Sequence, residues 1–168
     1  MEKKRKILLV DDSDLISDMV SNCLESEGYQ VVRARNGVEG IEKTYQEVPD
    51  LIIMDVEMPL LQGYQASRIL KSRRGVRDIP IIMHTSLSED RDRYWAYSSG
   101  AEEFISKDME NLEQLSQKVH ELVQHQSLDL DIIREGAKKI NRESIFELLG
   151  NLFDRELFQS TIHNQVGE

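Results

Sequence analysis

The chain holds a single cysteine, Cys23, among 168 residues. No intrachain disulfide can form, and no group of cysteines and histidines has the spacing of a zinc site. Cys23 is expected as a small buried apolar side chain on the first helix. Long apolar runs are missing as well. No stretch approaches the roughly 18 to 20 uninterrupted apolar residues of a membrane span, and the charged start MEKKRK leads straight into a short apolar strand. These absences predict a cytoplasmic chain without a signal peptide and without a membrane partner. Positive charge is scarce: 21 lysines and arginines face 31 aspartates and glutamates, for a formal net charge of -10. Such a surface repels polyanions, so direct nucleic-acid binding is not expected. The one basic cluster, Lys71, Arg73, Arg74 and Arg77, falls at a helix end and in the loop after it, where positive charge is favourable and well solvated.

What is present is a regular alternation. Five short apolar runs, Ile7 to Val10, Tyr29 to Ala34, Leu51 to Met54, Ile79 to Met83 and Glu103 to Ser106, read as strands. Three of them are nearly continuous, as strands covered on both faces must be. Between them lie segments with apolar residues three and four apart. Leu15, Met19, Val20, Cys23 and Leu24 form the first stripe, stopped by Gly28. Val38, Ile41, Thr44 and Tyr45 form the second, opened by Asn36 and Gly37, and Tyr64, Ser67, Arg68, Ile69 and Leu70 a weaker third. Trp95, Ala96 and Ser99 precede Gly100, and Leu112, Leu115, Val119, Leu122 and Val123 make the fifth. Five strand and helix repeats call for an α/β fold, a parallel sheet with right-handed crossovers and helices on both faces. The chemistry of such a sheet sits at the carboxyl ends of its strands.

The residues found there form a coherent set. Asp11 and Asp12 follow the first strand, Asp55 the third, Thr85 ends the fourth and Lys107 follows the fifth. Two carboxylates about 4 Å apart repel by roughly 4 kcal/mol at an effective dielectric of 20, so a compensating cation is required. An all-oxygen ligand set without imidazole suits Mg²⁺. A lysine and a threonine hydroxyl are the groups that a phosphoryl oxygen needs, which makes Asp55 a nucleophile and the other two acids the holders of the metal.

The segments LLVDDS, MDVEMPLLQGY, HTS and FISK, in this order over about residues 5 to 125, resemble the receiver domain of two-component response regulators. The resemblance implies the flavodoxin-like (βα)5 fold with strand order 2-1-3-4-5 in residues 1–125. It makes Asp55 the phosphoacceptor, with a sensor histidine kinase or phosphotransfer protein as partner. Asp12 becomes the direct Mg²⁺ ligand, Asp11 acts mainly through water, and the backbone carbonyl of Glu57 completes the coordination. Pro59 and Gly63 match turn positions of the following loop, and Phe104 matches the aromatic that swings inward when Thr85 moves toward the phosphoryl group. The expected readout is the face of the fourth helix, fifth strand and fifth helix, where Tyr94 or Tyr97 are candidate partner contacts and Trp95 is expected to be partly buried. One departure stands out: Asp108 follows Lys107 where the family usually has proline. The loop is therefore expected to be trans, with Lys107 shifted or paired with Asp108. His84 is given no role, and Glu57 is read as a solvated loop residue whose side chain could affect water access.

Residues 126–168 form a helical C-terminal extension. Ile145, Leu148, Leu149, Leu152 and Phe153 make one stripe, and Leu157, Phe158, Thr161, Ile162 and Gln165 another. About 40 residues cannot bury both alone, so these helices are expected to pack on the receiver or to pair with a second chain, homodimerisation being the more natural reading, or to form a linker to an output domain beyond residue 168. The chain is not expected to be an enzyme on an external substrate. A phosphohydrolase of the aspartyl-phosphate type would carry Asp-x-Asp on the first strand, which this chain lacks. The alternative of a pseudo-receiver, an interaction module acting without phosphorylation, is disfavoured by the presence of all five site residues.

Overall fold

In the computed structural model, residues 4–86, 94 and 98–125 are described. The expected helical extension, residues 126–168, together with Trp95 and Tyr97, lies outside the described residues. Five strands, β1 (Lys6–Val10), β2 (Gln30–Ala34), β3 (Leu51–Met54), β4 (Ile81–Thr85) and β5 (Glu103–Ser106), form one parallel sheet in the order β2-β1-β3-β4-β5. This is the expected flavodoxin-like order. Strand β4 starts two residues later than its apolar run, because Pro80 has no N–H for the ladder and Ile79 donates instead to the Val76 carbonyl in a turn.

Alternation along the strands sorts the core into two layers. Leu8, Val10, Ile52, Met54, Met83 and Phe104 face α2 (Gly37–Glu47) and α3 (Gly63–Lys71). Ile7, Leu9, Ile53, Ile82 and Ile105 face α1 (Asp14–Ser26) and α4 (Leu112–Gln124), the last being the fifth helical segment of the sequence pattern. All four residues of β3 are fully buried, as its uninterrupted apolar run requires.

The phase of α1 differs from the expected stripe. Its buried side chains are Ser17, Val20, Ser21 and Leu24, whereas Leu15 is 77% exposed and Cys23 only partly covered. The Ser13 hydroxyl accepts from the Ile16 N–H and sets where the helix starts. From that start two serines face the sheet, where Ser21 Oγ accepts from Arg33 Nε at 2.9 Å. Cys23 lies 3.8 Å from a Glu27 carboxylate oxygen, and its partial burial, followed by that charge, pushes its thiol above the ordinary range. Helix α3 likewise buries Ala66 and leaves Arg68 exposed.

Candidate functional site

Asp11, Asp12, Asp55, Thr85 and Lys107 all arrive at the carboxyl edge of the sheet. The backbone fixes their spacing: Asp11 N–H donates to the Ala34 carbonyl, Asp55 N–H to the Val10 carbonyl and Lys107 N–H to the Thr85 carbonyl. Ligand oxygens of Asp11, Asp12 and Asp55 lie within 4.8 Å of one another. Asp12 is exposed, while Asp11, Asp55 and Thr85 are buried.

Lys107 holds these charges together. Its Nζ is 2.7 Å from Asp55 Oδ2 and 2.6 Å from Asp11 Oδ2. Burial alone would lower the lysine's pKa, yet the hydrogen bonds and charges of Asp11 and Asp55 outweigh it and hold the ammonium above its ordinary range. For Asp55 the balance falls the other way. Burial, reinforced by the charge of Asp11, raises its carboxyl above the usual aspartate range despite the Lys107 contacts. One ammonium therefore compensates two buried acids incompletely. Asp11 Oδ1 accepts from the Ser13 N–H at 2.9 Å, and its buried Oδ2 has the Lys107 ammonium, at 2.6 Å, as its one contact among the described residues. A buried, under-satisfied carboxylate oxygen beside two further acids is what a hard divalent cation would complete, so the residues fit Mg²⁺.

The loop after Asp55 is shaped by close approaches. A Cβ on Gly63 would lie 1.8 Å from the Asp55 carbonyl oxygen, so this glycine is required for proximity and not, as its family position suggests, to relieve a turn. The left-handed residue is instead Leu60, φ +69°, bridged by the Leu61 N–H to the Pro59 carbonyl at 2.8 Å. Gly37 makes a second close approach, since its Cβ would meet the Leu61 carbonyl oxygen at 2.4 Å while its own N–H donates there. Ser13 and Gly37 are positioning residues; the sequence pattern gives Ser13 no role and Gly37 only that of a helix opener.

Asp108 does not pair with Lys107. Its Oδ2 accepts from Ser106 Oγ at 2.7 Å, and its carbonyl accepts from the Asn111 N–H as the chain enters a short 3-10 turn, Met109–Asn111. No cis peptide occurs among the described residues, and Lys107 still reaches Asp55. Phe104 is buried on β5, paired in register with Met83. Tyr94 is 68% exposed, as a partner contact requires, and Glu57 is exposed too. His84 is buried beside this site, and its Nδ1 has no hydrogen-bond partner among the described residues. Desolvation, then the Lys107 charge, lowers its pKa to about 4, so the ring is neutral.

Residues 7–120 match the family model described as response regulator receiver domain. The chain is 37% identical over 102 residues to protein PilH of Pseudomonas aeruginosa, covering 61% of this chain and 84% of that one. It is 35% identical over 111 residues to the DNA-binding dual master transcriptional regulator RpaA of Synechocystis, covering 66% of this chain but 46% of the regulator. The chain thus spans less than half of that relative. Among solved structures, it is similar to the receiver domain of sensor histidine kinase PA1611 from Pseudomonas aeruginosa, which has a magnesium ion coordinated in its active-site cleft. The TM-score is 0.67 at 25% identity, over 73% of this chain and 99% of that domain.

Proposed function

This chain belongs to the response regulator receiver family, and from that membership we propose a switch in which Asp55 takes a phosphoryl group from a sensor histidine kinase or phosphotransfer protein. The observation that supports this most is the Lys107 ammonium held within 2.7 Å of both Asp55 and Asp11, beside an acid cluster that fits a divalent cation. In the transfer, an Asp55 carboxylate oxygen forms the new bond to phosphorus as the phosphorus–nitrogen bond of the donor phosphohistidine breaks. The freed imidazole keeps the electron pair. Bound Mg²⁺, held by Asp11, Asp12, Asp55 and the Glu57 carbonyl, would neutralise charge on the transferring oxygens. Lys107 then pairs with a phosphoryl oxygen instead of a carboxylate, and the Thr85 hydroxyl donates to another.

Movement of Thr85 lets Phe104 turn inward and alters the readout face expected of the fourth helix in the sequence pattern, β5 and α4. That change controls an output or dimerisation through residues 126–168, a region apart from the receiver unit of residues 1–125. The chain assists its own phosphorylation and dephosphorylation and has no external substrate. No described helix is long and apolar enough to cross a membrane, and a cytoplasmic location belongs to this proposal.

Incubation with acetyl phosphate, followed by intact-mass spectrometry, tests the reading. The native chain is expected to gain one phosphoryl group only with Mg²⁺ present, and the Asp55→Asn variant none. No gain in the native chain would overturn the phosphoacceptor role and leave a pseudo-receiver that acts by binding alone.

A further inference from the structure

Most described lysines and arginines hold a carboxylate at 3.0 Å or closer, as an acidic chain allows. Apart from Lys4, just before β1, the exceptions gather in one place. Arg68 on α3 and Arg73 and Arg74 in the turn after it are exposed and have no carboxylate partner among the described residues, and Arg77 reaches only its exposed neighbour Asp78, at 3.8 Å. Lys71, which the sequence groups with them, is committed elsewhere: its ammonium pairs with Glu102 and donates to the Ile79 carbonyl. The turn that presents the arginines is itself ordered. Arg73 N–H donates to the Leu70 carbonyl, Arg77 N–H to the Arg73 carbonyl, and Val76 and Ile79 anchor it in the core at 1% and 0% exposure. An ordered scaffold holding unpaired guanidiniums favours carboxylate recognition in forked geometry.

Topology narrows the occupant. Strands run toward Asp55 and helices run back, so the end of α3 and the end of α4 both lie at the opposite edge of the sheet. The chain leaves α4 at Gln124 with residues 126–168 still to follow. Within them, Glu143, Glu147 and Asp154 fall four and seven apart, which puts all three on one face of a helical repeat, opposite the stripe Ile145, Leu148, Leu149 and Leu152. The link from Gln124 to Glu143 spans roughly 28 Å even if wholly helical at 1.5 Å per residue. Because α3 and α4 cover opposite faces of the sheet, the two edge positions are separated by two layers of about 10 Å each and about two strand spacings of about 4.8 Å, roughly 22 Å in all, which the link still exceeds. Linkage also supplies an effective concentration of order millimolar, which offsets the repulsion between an acidic segment and an acidic chain.

We propose that the acidic face Glu143, Glu147 and Asp154 of the chain's own extension docks on the Arg68, Arg73, Arg74 and Arg77 patch. Docking depends on charge and weakens with salt. It does not rest on phosphorylation of Asp55, so the acetyl phosphate result leaves it standing or falling by itself.

Hydrogen exchange on the full chain tests it. Amides of residues 143–156 are expected to exchange about tenfold faster in the R73E/R74E/R77E variant than in the native chain, and faster at high salt, while β3 amides are unchanged. Adding E143R, E147R and D154R to that variant is expected to restore the native protection. Equal exchange in the native and reversed variants, failure of the swap to restore it, or protection that falls on dilution and so comes from a second copy, would each overturn the proposal. If charge reversal loosens β3 itself, the R73Q/R74Q/R77Q variant, which only removes charge, decides by the same comparison.

Discussion

Replacing Lys107 with methionine keeps most of the side chain's length, losing the terminal atom, and removes its charge. The Nζ lies 2.6 Å from Asp11 Oδ2 and 2.7 Å from Asp55 Oδ2, on carboxylates whose side chains are 1% and 6% exposed. Removing one partner from a buried ion pair costs about 3–5 kcal/mol, because the remaining charge stays desolvated. Here two acids are stranded, and with ligand atoms within 4.8 Å of each other their repulsion adds roughly 3 kcal/mol at an effective dielectric of 20. Protonation of Asp55, already favoured by its burial, relieves part of that load. The expected net loss is about 4 kcal/mol near neutral pH in EDTA, measured as a shifted urea midpoint at unchanged slope. Mg²⁺ is expected to recover stability by about 1.4 kcal/mol for each tenfold rise above its dissociation constant. Adding Asp55→Asn should recover more than half of the loss, since the second stranded charge is gone. A loss under about 1 kcal/mol, or one that neither Mg²⁺ nor Asp55→Asn reduces, would refute the claim that Lys107 compensates both acids.

Gly63→Ala places a methyl group against the Asp55 carbonyl oxygen, at 1.8 Å before relaxation. It is expected to cost at least about 3 kcal/mol in urea unfolding and to impair Asp55 reactivity, and a near-neutral effect would show that the loop moves away cheaply. Asp55→Asn in EDTA is expected to be more stable than the native chain at neutral pH, since the folded-state pKa of Asp55 is raised. The native chain regains that stability as pH falls through the folded value toward the unfolded value of about 3.9, so the gap closes on acidification; a widening gap contradicts the assignment. His84→Leu removes a buried nitrogen that has no partner among the described residues and is expected to stabilise by about 1 kcal/mol at neutral pH. Because the folded-state pKa of His84 is lowered to about 4, the native chain loses stability as pH falls from about 6.5 to about 4, by about 3 kcal/mol. The leucine variant should lack that loss, and parallel pH profiles would contradict it.

The sheet was readable because a strand buried on both faces needs an unbroken apolar run, and Leu51 to Met54 is one. The site was readable because its residues sit directly after such runs. What stayed hidden depended on phase and proximity. Leu15 and Cys23 look like core at helical spacing, but the start set by Ser13 turns Ser17 and Ser21 inward instead. A buried serine leaves no hydropathy signal. Gly63 and Gly37 carry no mark of the carbonyl oxygens they approach, since these belong to residues brought in by the fold. Likewise, Asp108 was as free to pair with Lys107 as with Ser106 in sequence, and only the local turn decides it.

The most direct test of the central claim is to trap the phosphorylated state chemically. Borohydride reduces an aspartyl phosphate to homoserine, so peptide mass spectrometry after treatment with acetyl phosphate and Mg²⁺ reads the modified residue. The account predicts homoserine at position 55, absent when Mg²⁺ is withheld. Homoserine at Asp11 or Asp12, or at no residue in a chain shown to be folded, would contradict it.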